Sequence, residues 1–407
     1  MFTRSQVRIA GPLAGFGNGF CDQLGKLGYT PSSAEHQMRL MADLSSWLST
    51  EGLDAAGLTA EVVDRFFVAR RASGRRWRGS PRALAPLLGY LRELGAAPAA
   101  TARPASTASE ELLEEFRCYL VNERGLAPGT VRNQSRVAQR FLSGLPEPEN
   151  PDLERLTADE VSAYMLGLSR SHEHAPGSAT NLVTASTGLR SLLRFLFLEG
   201  RTPLSLVDAV PTAPQRKGGS LPRALDASYV SAMLDGCDRT RAVGLRDFSI
   251  LTVLVRLGLR SAEVAGLRLD DVDWRAGDLV VCGKANREER LPIPCDVGEA
   301  LTDYLRDARP PSPCRNLFLR ALAPHVEMSP HAVRAVVALA CDRVGLARVG
   351  AHRLRHTAAT EMLRHGASLV EIGEVLRHRR PKTTAIYAKV DRVALGALAR
   401  PWPGGRP

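Results

Sequence analysis

The residues best able to do chemistry gather toward the C-terminal end of the chain. Arg260 stands where two helical patterns meet in LGLRSAEVAGL (257–267), with Glu263 three residues on, expected to brace a helix or a neighbouring basic side chain. Lys284 lies in a polar stretch, GKANREE, between the short apolar runs LVVC (279–282) and RLPI (290–293). His352 and Arg355, in HRLRHT, are three apart and share one face of a helix. His378 follows in VLRHRRP, 23 residues after Arg355, and Tyr387 in TTAIYAKV, nine residues after His378. Arginine forks match phosphate oxygens two at a time. A phenol, imidazoles and an amine beside them are groups whose protons move once burial or charge tunes them. Singly, each residue has an ordinary explanation: an ion pair for arginine, a cap for histidine, half-buried packing for tyrosine, a solvated charge for lysine.

Those residues must be positioned by a mixed segment. Helical periodicity is expected over 244–258, 261–267, 296–308, 329–345, 353–365, 368–376 and 381–399, and the two apolar runs read as strands of a hairpin with Lys284 in its turn. Ahead of this segment lie two linker-like stretches, AAPAATARPASTA (96–108) and the Pro/Gly-rich 200–224. They divide the chain into 1–98, 109–200 and 221–407. The first two parts are expected to be copies. At an offset of 97, Cys21, Gly28, Pro31 and Arg39 fall on Cys118, Gly125, Pro128 and Arg136. At an offset of 105, LLGYL (87–91) falls on LLRFL (192–196). Each copy reads as about four amphipathic helices, in the second copy 109–123, 128–144, 157–169 and 178–198.

Composition narrows the partner. The chain has 407 residues, 44% hydrophobic and 24% charged, which excludes collagen-like, disordered and disulfide-scaffold classes. Its formal net charge is +11, which favours a polyanion. Only five of the 54 basic residues are lysines, so Lys284 is less readily dismissed as filler. Seven cysteines without a CxxC fit a reduced, cytoplasmic protein and give no zinc pattern. No leader or membrane span is expected, and the absence of GxxxxGK[ST] argues against a bound nucleotide. Two basic features point to duplex grip. Arg76 and Arg78 lie in RRASGRRWRGSPR (70–82), and Thr130, Arg132, Arg136 and Arg140 could line a helix facing phosphates, although an ordinary polar face reads equally well.

Arg, Lys in a hairpin, HxxR, His and Tyr, in that order over 128 residues, resemble the tyrosine recombinase (phage integrase) family, the likeness running through most of 221–407. GLAPGTVRNQSRVAQRFL (125–142) is similar to that family's helical core-binding domain. The resemblance implies a multidomain, mainly α architecture of SAM-like helical domains and a mixed α+β catalytic domain with a small antiparallel sheet. It implies Tyr387 as a nucleophile forming a 3′-phosphotyrosyl link, His352 as general base and Lys284 as general acid. Arg260 and Arg355 would clamp the phosphate, and His378 would donate a further hydrogen bond. No metal and no cofactor are implied. Double-stranded DNA with specific sites is the implied partner, bound by a homotetramer, with or without sister recombinases. The implied role is integration, excision or transposition of a mobile element. The alternatives are a Xer-like resolvase, a type IB topoisomerase and an inactive DNA-binding relative. One departure stands out: Arg377 occupies a position where the family usually has glycine.

Overall fold

The computed structural model describes residues 7–72, 81–99, 106–172, 178–211, 224–283 and 288–377, together with Thr384 and Tyr387. Lys284, His378, Arg76, Arg78 and most of the helix expected over 381–399 lie outside these residues. The fold is mainly helical, with one small antiparallel sheet.

In the first part α1 (Gly17–Lys26), α2 (Pro31–Thr50), α3 (Ala60–Ala72) and α4 (Ala85–Glu93) surround a core that includes Phe20, Met41, Leu44, Phe66 and Leu91. In the second, α5 (Ala108–Cys118), α6 (Pro128–Leu142), α7 (Ala158–His172) and α8 (Ser178–Leu198) surround Phe116, Phe141, Leu192 and Phe195. Local chemistry explains the matching starts. Gly28 and Gly125 take positive φ, 82° and 55°, to turn the chain, and Pro31 and Pro128 then open α2 and α6. Proline suits that first helical position, where its missing N–H would have had no partner.

The third part holds α9 (Ala227–Asp235), α10 (Ala242–Arg256), α11 (Ser261–Gly266), β1 (Val272–Asp273), β2 (Asp278–Cys282), β3 (Glu288–Pro292), α12 (Cys295–Asp303), α13 (Pro330–Arg343), α14 (Ala351–Arg364) and α15 (Leu369–Val375). The strands run in the order β1-β2-β3, all antiparallel. Three details differ from the sequence expectation. Helix α9 and the two-residue β1 were not foreseen. Glu288 and Glu289, expected in the turn, belong to β3, where they pair with Cys282 and Val281. Two adjacent glutamates carry no period-2 signal, yet Leu291 is the buried anchor of that strand. The helix expected over 296–308 ends at Asp303 and continues as a π turn, Tyr304–Ala308.

Helix α10 is the central support, with Ile250, Leu251, Val253 and Leu254 almost fully buried. Each such side chain contributes roughly 1.5–3 kcal/mol of burial. Asp247, buried on the same helix, pairs with Arg246 at 2.7 Å and with Arg343 of α13 at 3.1 Å. By compactness the chain forms two units, residues 1–100 with 220–407, and 101–219. Within the first unit the His325 N–H donates to the Leu27 carbonyl at 2.9 Å. A Cβ at Gly28 would fall 1.9 Å from the His325 ring, so that approach accommodates only glycine.

Candidate active site

Arg260 owes its position to a glycine. Helix α10 ends at Arg256, and Gly258 adopts φ 58°, the left-handed conformation that commonly follows a helix end. A side chain there would also meet Leu376 at 2.6 Å. The chain therefore turns sharply, and Arg260 becomes the residue that opens α11. Its side chain stays 43% exposed, open to an incoming anion. Glu263 reaches back to the Arg260 backbone N–H at 2.8 Å and accepts from the Arg260 guanidinium at 2.5 Å. The expectation that Glu263 braces a neighbouring basic side chain is met by these contacts.

Helix α14 brings the next residues. Small residues Ala358, Ala359 and Thr360 let it pack closely, and Arg355 is buried, 1% exposed. One guanidinium end of Arg355 donates to the Gly258 carbonyl at 2.7 Å, and the other donates to the carbonyl of Leu376. This single side chain therefore fastens the segment before Arg260 to the segment before His378. Burial, then repulsion from Arg260, push its pKa down to about 10, so it remains charged at neutral pH.

His352 lies one helical turn before His356, and the two rings meet edge to face at 4.5 Å. Nδ1 of His356 is 2.8 Å from the hydroxyl of Tyr387. Tyr387 is itself 1% exposed and packs in a small cluster with Ala359, Ile372 and Leu376. Burial, followed by the positive charges of His352 and Arg355, pushes His356 down to about 4. It is therefore neutral at pH 7 and able to accept the phenol proton in a hydrogen bond. Burial, then the charges of Arg355 and Arg260, also lower His352. Tyr387 is raised above its ordinary value by burial, partly offset by Arg355. A phenol so held would need a base in order to attack at neutral pH, and the neutral imidazole of His356 stands beside it.

Arg260, His352, Arg355 and Tyr387 are thus linked, directly or through shared neighbours, in one site. His356 was missed by spacing alone. The available signal was HxxxH, since residues four apart share a helix face. The departure at Arg377 also has a structural counterpart: it adopts φ 54°, the only non-glycine residue with positive φ among those described. Such a conformation costs a non-glycine residue roughly 1–2 kcal/mol.

Of the candidate DNA-contact residues, those that are described lie on α6, in the other unit. Thr130, Arg132, Arg136 and Arg140 are all exposed. Arg132, Arg136 and Arg140, spaced by four, form one stripe, with Thr130 off it in the first turn. Arg136 and Arg140 edge a groove of about 310 Å³ that also takes in Asn133, Tyr164 and Thr184. No group of three or more His, Cys, Asp or Glu side chains able to hold a metal is present among the described residues. No described helix is long and apolar enough to cross a membrane.

Comparison with known proteins identifies the family. The profile of the Phage integrase family matches residues 223–393. An integrase/recombinase of Sinorhizobium fredii, y4rA, is 38% identical over 398 residues, 97% of this chain and 95% of the relative. The tyrosine recombinase XerD of Mycobacterium tuberculosis is 31% identical over 309 residues, 72% of this chain and 97% of XerD. In fold, the chain is similar to a lambda integrase tetramer bound to a Holliday junction, with a TM-score of 0.54 and 17% identity, over 81% of this chain and 91% of that one. The chain belongs to the phage integrase family of tyrosine recombinases, enzymes that cleave and rejoin DNA strands through a tyrosine intermediate.

Proposed function

We propose that Tyr387 is the nucleophile of a site-specific recombinase that moves a mobile element. The observation that supports this most is the Tyr387 hydroxyl held 2.8 Å from a neutral imidazole, beside a buried arginine. In this reading the Tyr387 oxygen attacks the scissile phosphorus, the P–O5′ bond breaks, and a 3′-phosphotyrosyl link and a 5′-hydroxyl result. His352 takes the phenol proton, and His356 orients the phenol. Lys284 returns a proton to the leaving 5′-oxygen, and His378 donates to the phosphate. Arg260 meets the non-bridging oxygens from the exposed side. Arg355 contributes its charge from one layer below while locking the segments on both sides. These cations do the work of transition-state charge stabilisation. Reversal by a 5′-hydroxyl of another strand rejoins the DNA, so joining requires no nucleotide.

The mobile-element role rests on extent. The similarity to y4rA runs along 97% of this chain, whereas that to XerD covers 72%. Residues 1–98 are an added helical module for DNA binding or assembly, a duplicate of the core-binding module at 109–200. In this reading the chain acts on DNA as a tetramer, the assembly in which lambda integrase was solved on a Holliday junction, and it does so in the cytoplasm. The test is a supercoiled plasmid carrying two copies of the element's end sequence. The full chain should convert it to recombinant circles, and a chain lacking residues 1–98 should recombine poorly while still forming the covalent intermediate. Relaxation without site preference would identify a topoisomerase, and binding without cleavage an inactive relative. Recombination only of chromosomal or plasmid dimer sites would identify a resolvase.

The α6 stripe gives a second expectation. Replacing Arg132, Arg136 and Arg140 with alanine should weaken DNA binding about equally on specific and random duplexes. For every phosphate that an arginine no longer neutralises, the slope of log affinity against log salt should flatten by about 0.9. Fluorescence anisotropy across a salt series measures this, and an unchanged slope would assign the stripe to solvent.

A further inference from the structure

Arg377 presents a contradiction in local terms. Its backbone takes the left-handed conformation that glycine adopts freely. Its side chain is nevertheless 3% exposed, and its Nε is buried with no hydrogen-bond partner among the described residues. What holds it there is Glu263. One guanidinium nitrogen of Arg377 donates to Glu263 Oε2 at 2.8 Å, and another donates to the Val375 carbonyl at 3.2 Å. The same Oε2 accepts from the Arg260 backbone N–H at 2.8 Å, and Oε1 accepts from the Arg260 guanidinium at 2.5 Å. The Arg260 guanidinium also donates to the Arg377 carbonyl at 3.4 Å. Arg260, Glu263 and Arg377 therefore form a closed ring of contacts joining the start of α11 to the segment just before His378.

Charge gives the ring its meaning. A lone Arg260–Glu263 pair would be neutral and would place a buried carboxylate close to where a phosphate must sit. With Arg377 the trio carries one net positive charge, and the carboxylate is shared between two cations. Burial works to raise the Glu263 pKa, but the Arg260 N–H, Arg377 and the Arg260 guanidinium together hold it below its ordinary value. The carboxylate therefore stays ionised and keeps its grip on Arg260.

We propose that Arg377 is a positioning residue of the phosphate clamp, acting through Glu263 to orient Arg260 and to offset the carboxylate's charge. The inference rests on the recombinase reading of this site. It places a structural cation where a glycine would leave Glu263 paired with Arg260 alone.

The experiment uses the full chain and a nicked half-site that traps the covalent intermediate. Rate of adduct formation, gel-shift affinity and melting temperature are measured for wild type and for Arg377→Gly, Arg377→Lys, Glu263→Gln and the double variant Arg377→Gly/Glu263→Gln. Glycine tolerates the backbone conformation, so Arg377→Gly is the variant least liable to misfold. It should slow adduct formation by about 10- to 100-fold, the range typical of residues that orient a reacting group from behind, with unchanged affinity. Arg377→Lys, which keeps the charge, should recover much of the rate. The double variant should be no slower than Glu263→Gln alone, because Arg377 acts through that carboxylate. An Arg377→Gly enzyme as fast as wild type overturns the proposal, as do additive defects in the double variant or a lysine variant no faster than glycine. A wild type that forms no adduct would instead remove the recombinase reading itself.

Discussion

Tyr387→Phe should abolish covalent capture of a nicked half-site, a fall of about 10⁴-fold or more, as expected when a nucleophile is removed from a set that acts as a unit. Binding should persist, because the change deletes one oxygen and leaves the ring among Ala359, Ile372 and Leu376. The stability cost should be only about 1 kcal/mol, the net worth of one hydrogen bond such as that to His356. A melting curve and a gel shift alongside the adduct assay separate these effects. In the wild type, the rate should rise with pH as the histidine base loses its proton. Because burial and the charges of Arg355 and Arg260 shift His352 downward, the midpoint of the rise should lie below 6.5, the ordinary imidazole value. A rate still climbing well above neutrality would mean that the phenol ionises without help from that histidine.

Arg355→Lys should be the second most damaging change, although it keeps the charge. The two ends of the guanidinium reach two carbonyls, those of Gly258 and Leu376, on segments that converge only in the folded chain. A single ammonium on a shorter stem cannot span both. Adduct formation should fall by about 10²–10³-fold, comparable to losing one preorganised donor at a transition state. Stability should fall by about 1–3 kcal/mol, since a buried carbonyl loses its partner. Single-turnover cleavage and denaturant melts check the two effects. A stable, fully active lysine variant would show that Arg355 supplies charge alone.

How much of this was legible in the sequence depends on whether a relation is local. HxxR was readable because three residues along a helix fix a shared face. The hairpin was readable because two short apolar runs flank a polar stretch. Glu263 was readable as a brace, three residues from Arg260. His356 was not, because its partner lies 31 residues away and only tertiary packing brings the Tyr387 phenol to its Nδ1. The left-handed turn at Arg377 was hinted at only by the glycine that the family usually has there, a residue free to take positive φ. Arginine gives no signal of positive φ, and the compensating contact comes from Glu263, 114 residues earlier. Strand β1 was too short, at two residues, for any periodicity to register.

The central claim is that Tyr387 makes the covalent bond to DNA. The most direct measurement is to trap the adduct on a nicked half-site, digest it with trypsin and nuclease, and identify the nucleotide-bearing peptide by mass spectrometry. The 3′-phosphate should be found on TTAIYAK, residues 383–389, with the modification on Tyr387. A phosphate link to any of the other six tyrosines would contradict it.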